Sequence, residues 1–222
     1  MGLECCDDKD FSHVNYLGIA IKQVTPRQRH VALLYCLDNS EARLCHLAWH
    51  LDLRDEVASA KKSYYWAQVG LDEGNAHIAA VFCSRLLNGG KSEIPYGLSY
   101  AGDCFDEHGR YLPLPTGKGL TCVTFVLAVM HHLGYELLNP TEWEGQLLSP
   151  EDLEWQEWVI DQMTQSGADK EHIDAMKNDV GAPRYRPEHV TVAAMAHQTD
   201  WPIDRATILA RAESTVALVQ PT

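Results

Sequence analysis

The sequence predicts an α+β fold, with an antiparallel sheet packed on one buried helix and an all-helical region at the C-terminal end. Three observations predict it. Between residues 15 and 71, runs of β-branched, Leu and aromatic side chains are divided by short polar clusters, the pattern of paired strands. Residues 122 to 133 are apolar on nearly every side, as a helix enclosed by other elements must be. Beyond residue 149, apolar residues recur at helical spacing behind the start signal Ser149-Pro150.

The elements follow in order. Asn15 to about Val24 reads as a strand that Pro26 ends. "HVALLYCLDNSEARLCHLAWHLDL" reads as a hairpin, with Asp38-Asn39-Ser40-Glu41 as its turn and residues 42–53 as one continuous second strand. "SYYWAQVGL" (63–71) supplies a third strand, and "DEGNAHIAAVFCSRLLNGG" a helix with Ile78, Val81, Phe82 and Leu86 on its apolar face, stopped at Gly89-Gly90. The Gly- and Pro-rich stretch 89–120 has no element of its own, and irregular segments of that length are usually functional or disordered. The central helix of 122–133 is followed by "NPTEW", a helix opening at "SPEDLEW", and shorter helices near 169–179, 187–197 and 203–216. The organisation expected is residues 1–148 as the main domain, with 149–222 as a helical extension packed on it.

Composition narrows the function. The 222 residues are 45% hydrophobic and 22% charged, ordinary for a globular chain, and no apolar run approaches the roughly 18 residues of a membrane span. A formal charge of −13, from 31 acidic against 18 basic residues, repels phosphate backbones, so nucleic acid is excluded as a partner. Seven cysteines without framework spacing and without a CxxC predict reduced thiols, with no structural zinc, no other metal and no cofactor. The opening "MGLECCDDKDF" has neither a basic n-region nor a long apolar h-region, so cytoplasmic synthesis is expected, with any export by a signal-peptide-independent route. Gly2 with Cys5 and Cys6 suggests acylation, but position 6 lacks the Ser or Thr of the myristoylation pattern.

"GKGLTCVTFVLAVMHHLGYELL" (117–138) carries the chemistry. Thr121 is the expected N-cap, placing Cys122 at the first helical position, where free amides and the helix dipole favour a thiolate and lower a thiol pKa. The run resembles the nucleophile helix of NlpC-type papain-like peptidases, with Cys122, Phe125, Val126, Val129, Gly134 and Leu137 in register. "RHVALLYCLDN" resembles that family's His-Val-Gly-Ile-Tyr strand, and "IPYG" its Pro-Tyr segment. The resemblance implies Cys122 as nucleophile, His30 as base and Tyr96 as an aid in polarising the substrate carbonyl. His30 precedes Cys122 here, which is the order of the circularly permuted members, a group that includes lecithin retinol acyltransferase-like proteins. Thr121 replaces the family's Asp, and Val123-Thr124 its Ser-Gly.

A third group must orient the His30 imidazole. Read as one strand, residues 42–53 put His46, Ala48, His50 and Asp52 on one face. A turn centred near Ser40 sets His30 opposite His50 and Leu34 opposite His46, favouring His50. The resemblance favours His46, followed by Leu47-Ala48, so both stand as candidates. His131 and His132 fit the C-terminal end of the central helix, and His13, His77, His108, His172, His189 and His197 have no partner legible in sequence. Trp143, Trp155 and Trp158 pack the C-terminal helices or line a substrate groove. The expected activity is that of a cysteine peptidase or amidase acting on a peptide or isopeptide through a thioester. The alternatives are an acyltransferase or thioesterase with an acyl substrate, or an inactive binding domain of the same fold.

Overall fold

The computed structural model describes residues 3–5, 11–38, 40–86, 93–100 and 102–219. The α+β expectation holds. One antiparallel sheet is formed by β1 (Glu4–Cys5), β2 (Leu17–Thr25), β3 (Gln28–Tyr35), β4 (Arg43–Trp49), β5 (Asp52–Val57) and β6 (Tyr65–Gln68). Its order is β1-β6-β2-β3-β4-β5. Gly2 and Cys6, from the acylation reading, lie outside the described residues.

The expected second strand of the hairpin is two strands. β4 ends at Trp49, the chain turns through His50 and Leu51, and β5 returns along it with His46 opposite Arg54 and Leu47 opposite Leu53. Leu51 takes a left-handed φ of 57°. No Gly, Asn or Asp marks that turn, and the charged run Arg54-Asp55-Glu56 does not resemble a core strand. It is an edge strand, where charge guards against pairing with other chains.

α1 (Glu73–Arg85) forms where expected but turns a different face inward. Ala76, Ala79, Ala80 and Cys83 are buried, while Ile78 is 59% exposed and Val81 and Phe82 are only half-buried. The small side chains let the helix backbone lie close on β2 and β3. α2 (Cys122–His132) is buried from Cys122 through Met130 and packs on β3 and β4. α3 (Pro150–Gln165) is capped by Ser149 with Pro150 in its first turn, and α4 (Lys170–Met176), α5 (Pro187–Met195) and α6 (Arg205–Val219) complete the chain. Met163, Met176, Val190 and Ile208 share one apolar core with Leu33, Leu47 and Phe125, so the C-terminal helices complete the main core. No helix among the described residues is long and apolar enough to cross a membrane.

The sheet has two packed faces. Val31, Leu33, Cys45 and Leu47 belong to the core that holds the helices. Ala32, Leu34 and Leu44 belong to a second cluster with Phe11, Val14, Tyr64 and Trp66. By the two-residue period His30 and His46 lie on this second face.

Candidate active site

β3 and β4 pair at Leu33–Cys45, Leu34–Leu44 and Tyr35–Arg43. Below Leu33, β3 continues to pair with β2, and β4 with β5. The sheet therefore opens between residues 28–32 and 46–49, and the N-terminal end of α2 lies at that opening. A cavity of about 240 Å³ there is lined by His30, Ala48, Trp49, Tyr96, Cys122, Trp155 and Trp158, among others. The Val31 amide, two residues past the last β3–β4 pair, is close enough to the Cys122 thiol to favour its ionised form. The thiol is also felt by the Tyr64 phenol on the second face of the sheet, and it shares the cavity with His30.

A reciprocal cap builds the start of α2. The Thr124 amide donates to Thr121 Oγ1 at 3.1 Å, and the Thr121 amide donates to Thr124 Oγ1 at 2.7 Å. Cys122 is only 7% exposed. Burial pushes its thiol pKa up; the amides of Val31 and Val123, the Arg184 charge and its own amide pull the other way without overcoming it. The expected lowering is thus corrected, because a helix terminus stabilises a thiolate only in competition with desolvation.

His30 is equally enclosed. Burial, then the charges of His46, Lys22 and Arg54, bring its pKa down to about 3, so the imidazole is neutral near pH 7. Its Nε2 lies 2.8 Å from His46 Nδ1, and His46 Nε2 lies 3.2 Å from Glu56 Oε1. Burial lowers the His46 pKa in spite of Glu56. Burial raises that of Glu56, but its bonds to Lys62 and His46 outweigh this and leave it below its usual range. Lys62, on a helical turn after β5, holds the same carboxylate oxygen at 2.5 Å.

These bonds fix the tautomers. An ionised Glu56 only accepts, so His46 Nε2 carries the proton and its Nδ1 accepts from His30 Nε2–H. The unprotonated nitrogen of His30 is then Nδ1. His46, not His50, is the ring bonded to His30. Carried past its last pair, the register that joins Leu34 to Leu44 would set Ala48 opposite His30, which makes His46 the diagonal neighbour across the opening. His50 has left the strand and accepts a hydrogen bond from the Tyr96 amide at 3.1 Å.

Tyr96 is buried with its phenol near the Cys122 amide and thiol; desolvation and that thiol raise its pKa well above the ordinary value. Trp155 and Trp158 line the cavity and the adjoining groove of about 1010 Å³, together with Arg29 and Arg184. Trp143 instead packs against Tyr185 and His189. His131 lies between Asp103 and Glu136 at the far end of α2. Among the described residues no group of three or more His, Cys, Asp or Glu is placed to hold a metal ion.

No protein-family model, curated protein or solved structure matches this chain. The geometry adds Glu56, Lys62, Arg184 and His172 to the residues anticipated. Glu56 was legible in principle: once β5 is seen to pair with β4, Glu56 sits opposite Leu44, two residues from His46 on the same face. Arg184 and His172 left no local signal.

Proposed function

We propose that the chain is a thiol-dependent hydrolase that cleaves an amide bond, in a peptide or isopeptide, through a thioester on Cys122. The reading includes a permuted papain-like plan of the NlpC type. It is supported above all by one observation: a relay from the half-buried Glu56 through the buried His46 to His30 ends at the cavity that holds the only thiol at a helix N-terminus among the described residues.

The resting pair is a neutral thiol and a neutral imidazole. As Cys122 Sγ attacks the substrate carbonyl, its proton passes to His30 Nδ1, the sulfur–carbon bond forms, and the carbonyl π pair moves onto oxygen. The Cys122 amide and the Tyr96 hydroxyl face that oxygen and stabilise its charge. The new imidazolium is stabilised through His46 by Glu56. Collapse breaks the carbon–nitrogen bond, and the leaving amine takes the His30 proton. Water then gives a proton to His30 Nδ1 and attacks the thioester; collapse returns the proton to sulfur and frees the acid.

p-Nitrophenyl acetate tests the chemistry without knowledge of the natural substrate. We expect one acetyl group on Cys122 by mass spectrometry with a matching burst of nitrophenolate. Cys122→Ala should abolish both, and His30→Ala should slow them by about 10²- to 10⁴-fold. An unmodified Cys122, or a burst indifferent to His30→Ala, would remove the hydrolase reading.

A further inference from the structure

Tyr96 is held through both of its backbone polar groups. Its N–H donates to Nδ1 of His50, from the turn between β4 and β5, at 3.1 Å. Its C=O lies 2.8 Å from Nε2 of His172, from α4. His172 Nδ1 accepts from the Gly117 amide at 3.1 Å, so Nε2 is the protonated nitrogen and donates to Tyr96. The two imidazole rings lie 5.3 Å apart. A histidine thus meets each of the two polar backbone groups of Tyr96.

The same segment is tied to the approach to the nucleophile. The Leu120 amide donates to the Pro95 carbonyl at 2.9 Å, two residues ahead of Cys122. The backbones touch so closely that a Cβ on Gly97 would lie 2.3 Å from the Gly119 nitrogen, and one on Gly119 would lie 2.2 Å from the Pro95 oxygen. The Tyr96 backbone, from which the phenol projects, thus has its place relative to the start of α2 set by these bonds. His172 belongs to the C-terminal helices, and its own amide is capped by Asp169 at 2.9 Å.

We infer that His172, with His50, is a positioning residue that aims the Tyr96 hydroxyl at the oxyanion formed on Cys122, which makes the C-terminal helical region part of the catalytic apparatus. This rests on the hydrolase reading above. It predicts a specific split. Acylation builds an oxyanion and needs that hydroxyl in place, whereas alkylation of the thiol by iodoacetamide is a displacement at saturated carbon that builds none.

The experiment compares p-nitrophenyl acetate with iodoacetamide on the full chain. Tyr96→Phe should slow acetylation by about 10²-fold and change alkylation far less. His172→Phe should reproduce that split and add little further loss in the Tyr96→Phe background, because both changes remove one interaction. His172→Gln, which keeps an N–H for the Tyr96 carbonyl, should restore most of the rate. Equal losses in both reactions would make His172 merely structural and overturn the inference, as would independent, multiplying effects of His172→Phe and Tyr96→Phe. Should His172→Phe fail to fold, His172→Gln and His50→Leu carry the same comparison. A wild-type chain that is never acetylated removes the hydrolase reading and this inference together; an acetylated wild type with an indifferent His172→Phe removes this inference alone.

Discussion

His46 has both ring nitrogens engaged, one by His30 and one by Glu56, and each bond has a separable consequence. His46→Ala leaves the His30 Nε2–H buried without an acceptor and the ring free to turn. Acylation should fall by about 10²- to 10⁴-fold, the range of a lost orienting partner. Glu56→Gln keeps the volume but removes the charge that selects the His46 tautomer. The loss of a charge-assisted hydrogen bond, about 1.5–3 kcal/mol, corresponds to roughly ten- to hundredfold, so the expected defect is the smaller one. Both are read as rates of acetyl transfer to Cys122, and a Glu56→Gln rate equal to wild type would show that His46 needs no anchor. That Cys122, His30 and Tyr96 would line one cavity was legible because short motifs single them out. The choice between His46 and His50 was not, since it depends on a single step of strand register that moves every cross-strand partner by two residues.

Strand and helix ends decide where these side chains stand. The opening between β3 and β4 exists because their pairing stops at Leu33, and α2 begins there because Thr121 and Thr124 cap each other. Thr121→Ala should cost about 1 kcal/mol, lowering Tm by about 2–4 °C for a chain of this size. Gly97→Ala is a harsher change, since its Cβ would press on the Gly119 backbone, which cannot rotate away as a side chain can. We expect a loss of about 1–3 kcal/mol together with slowed acetylation as Tyr96 shifts; calorimetry and the ester burst measure the two. A Gly97→Ala protein with unchanged melting and unchanged burst would show the 95–97 segment to be loosely held. At this scale the helices were the more readable elements: Ser149-Pro150 announces α3 without help from tertiary structure, as Thr121 does α2. β5 and the inward face of α1 were not readable, because an edge strand may be charged and a helix may bury alanines in preference to Ile78. Both outcomes are set by neighbours distant in sequence.

At the scale of the whole molecule, the continuous core places neutral histidines where water cannot protonate them cheaply. His30 is brought to about 3 by burial and the charges of His46, Lys22 and Arg54. His189, whose Nδ1 accepts from the Arg186 amide at 3.1 Å, is also brought to about 3, by burial and then the Arg186 charge. In the unfolded chain both return to about 6.5. Below that value the unfolded state binds protons that the folded state refuses, so stability is intact at neutral pH. It falls as pH drops through 6.5 and continues to fall until the folded-state values near 3 are reached. Between pH 7 and pH 5 each histidine should remove about 2 kcal/mol. The carboxylates held low by partners, Asp152 and Glu56 among them, add their losses only at lower pH. Urea titrations at pH 7, 6 and 5 measure the slope. His189→Gln should flatten it by about one proton's share, roughly 1.4 kcal/mol per pH unit at full effect, while the acetylation chemistry of Cys122 persists. A stability that is level from pH 7 to pH 5 would mean that these rings are hydrated in the folded protein, and the resting neutral pair proposed for catalysis would lose its basis.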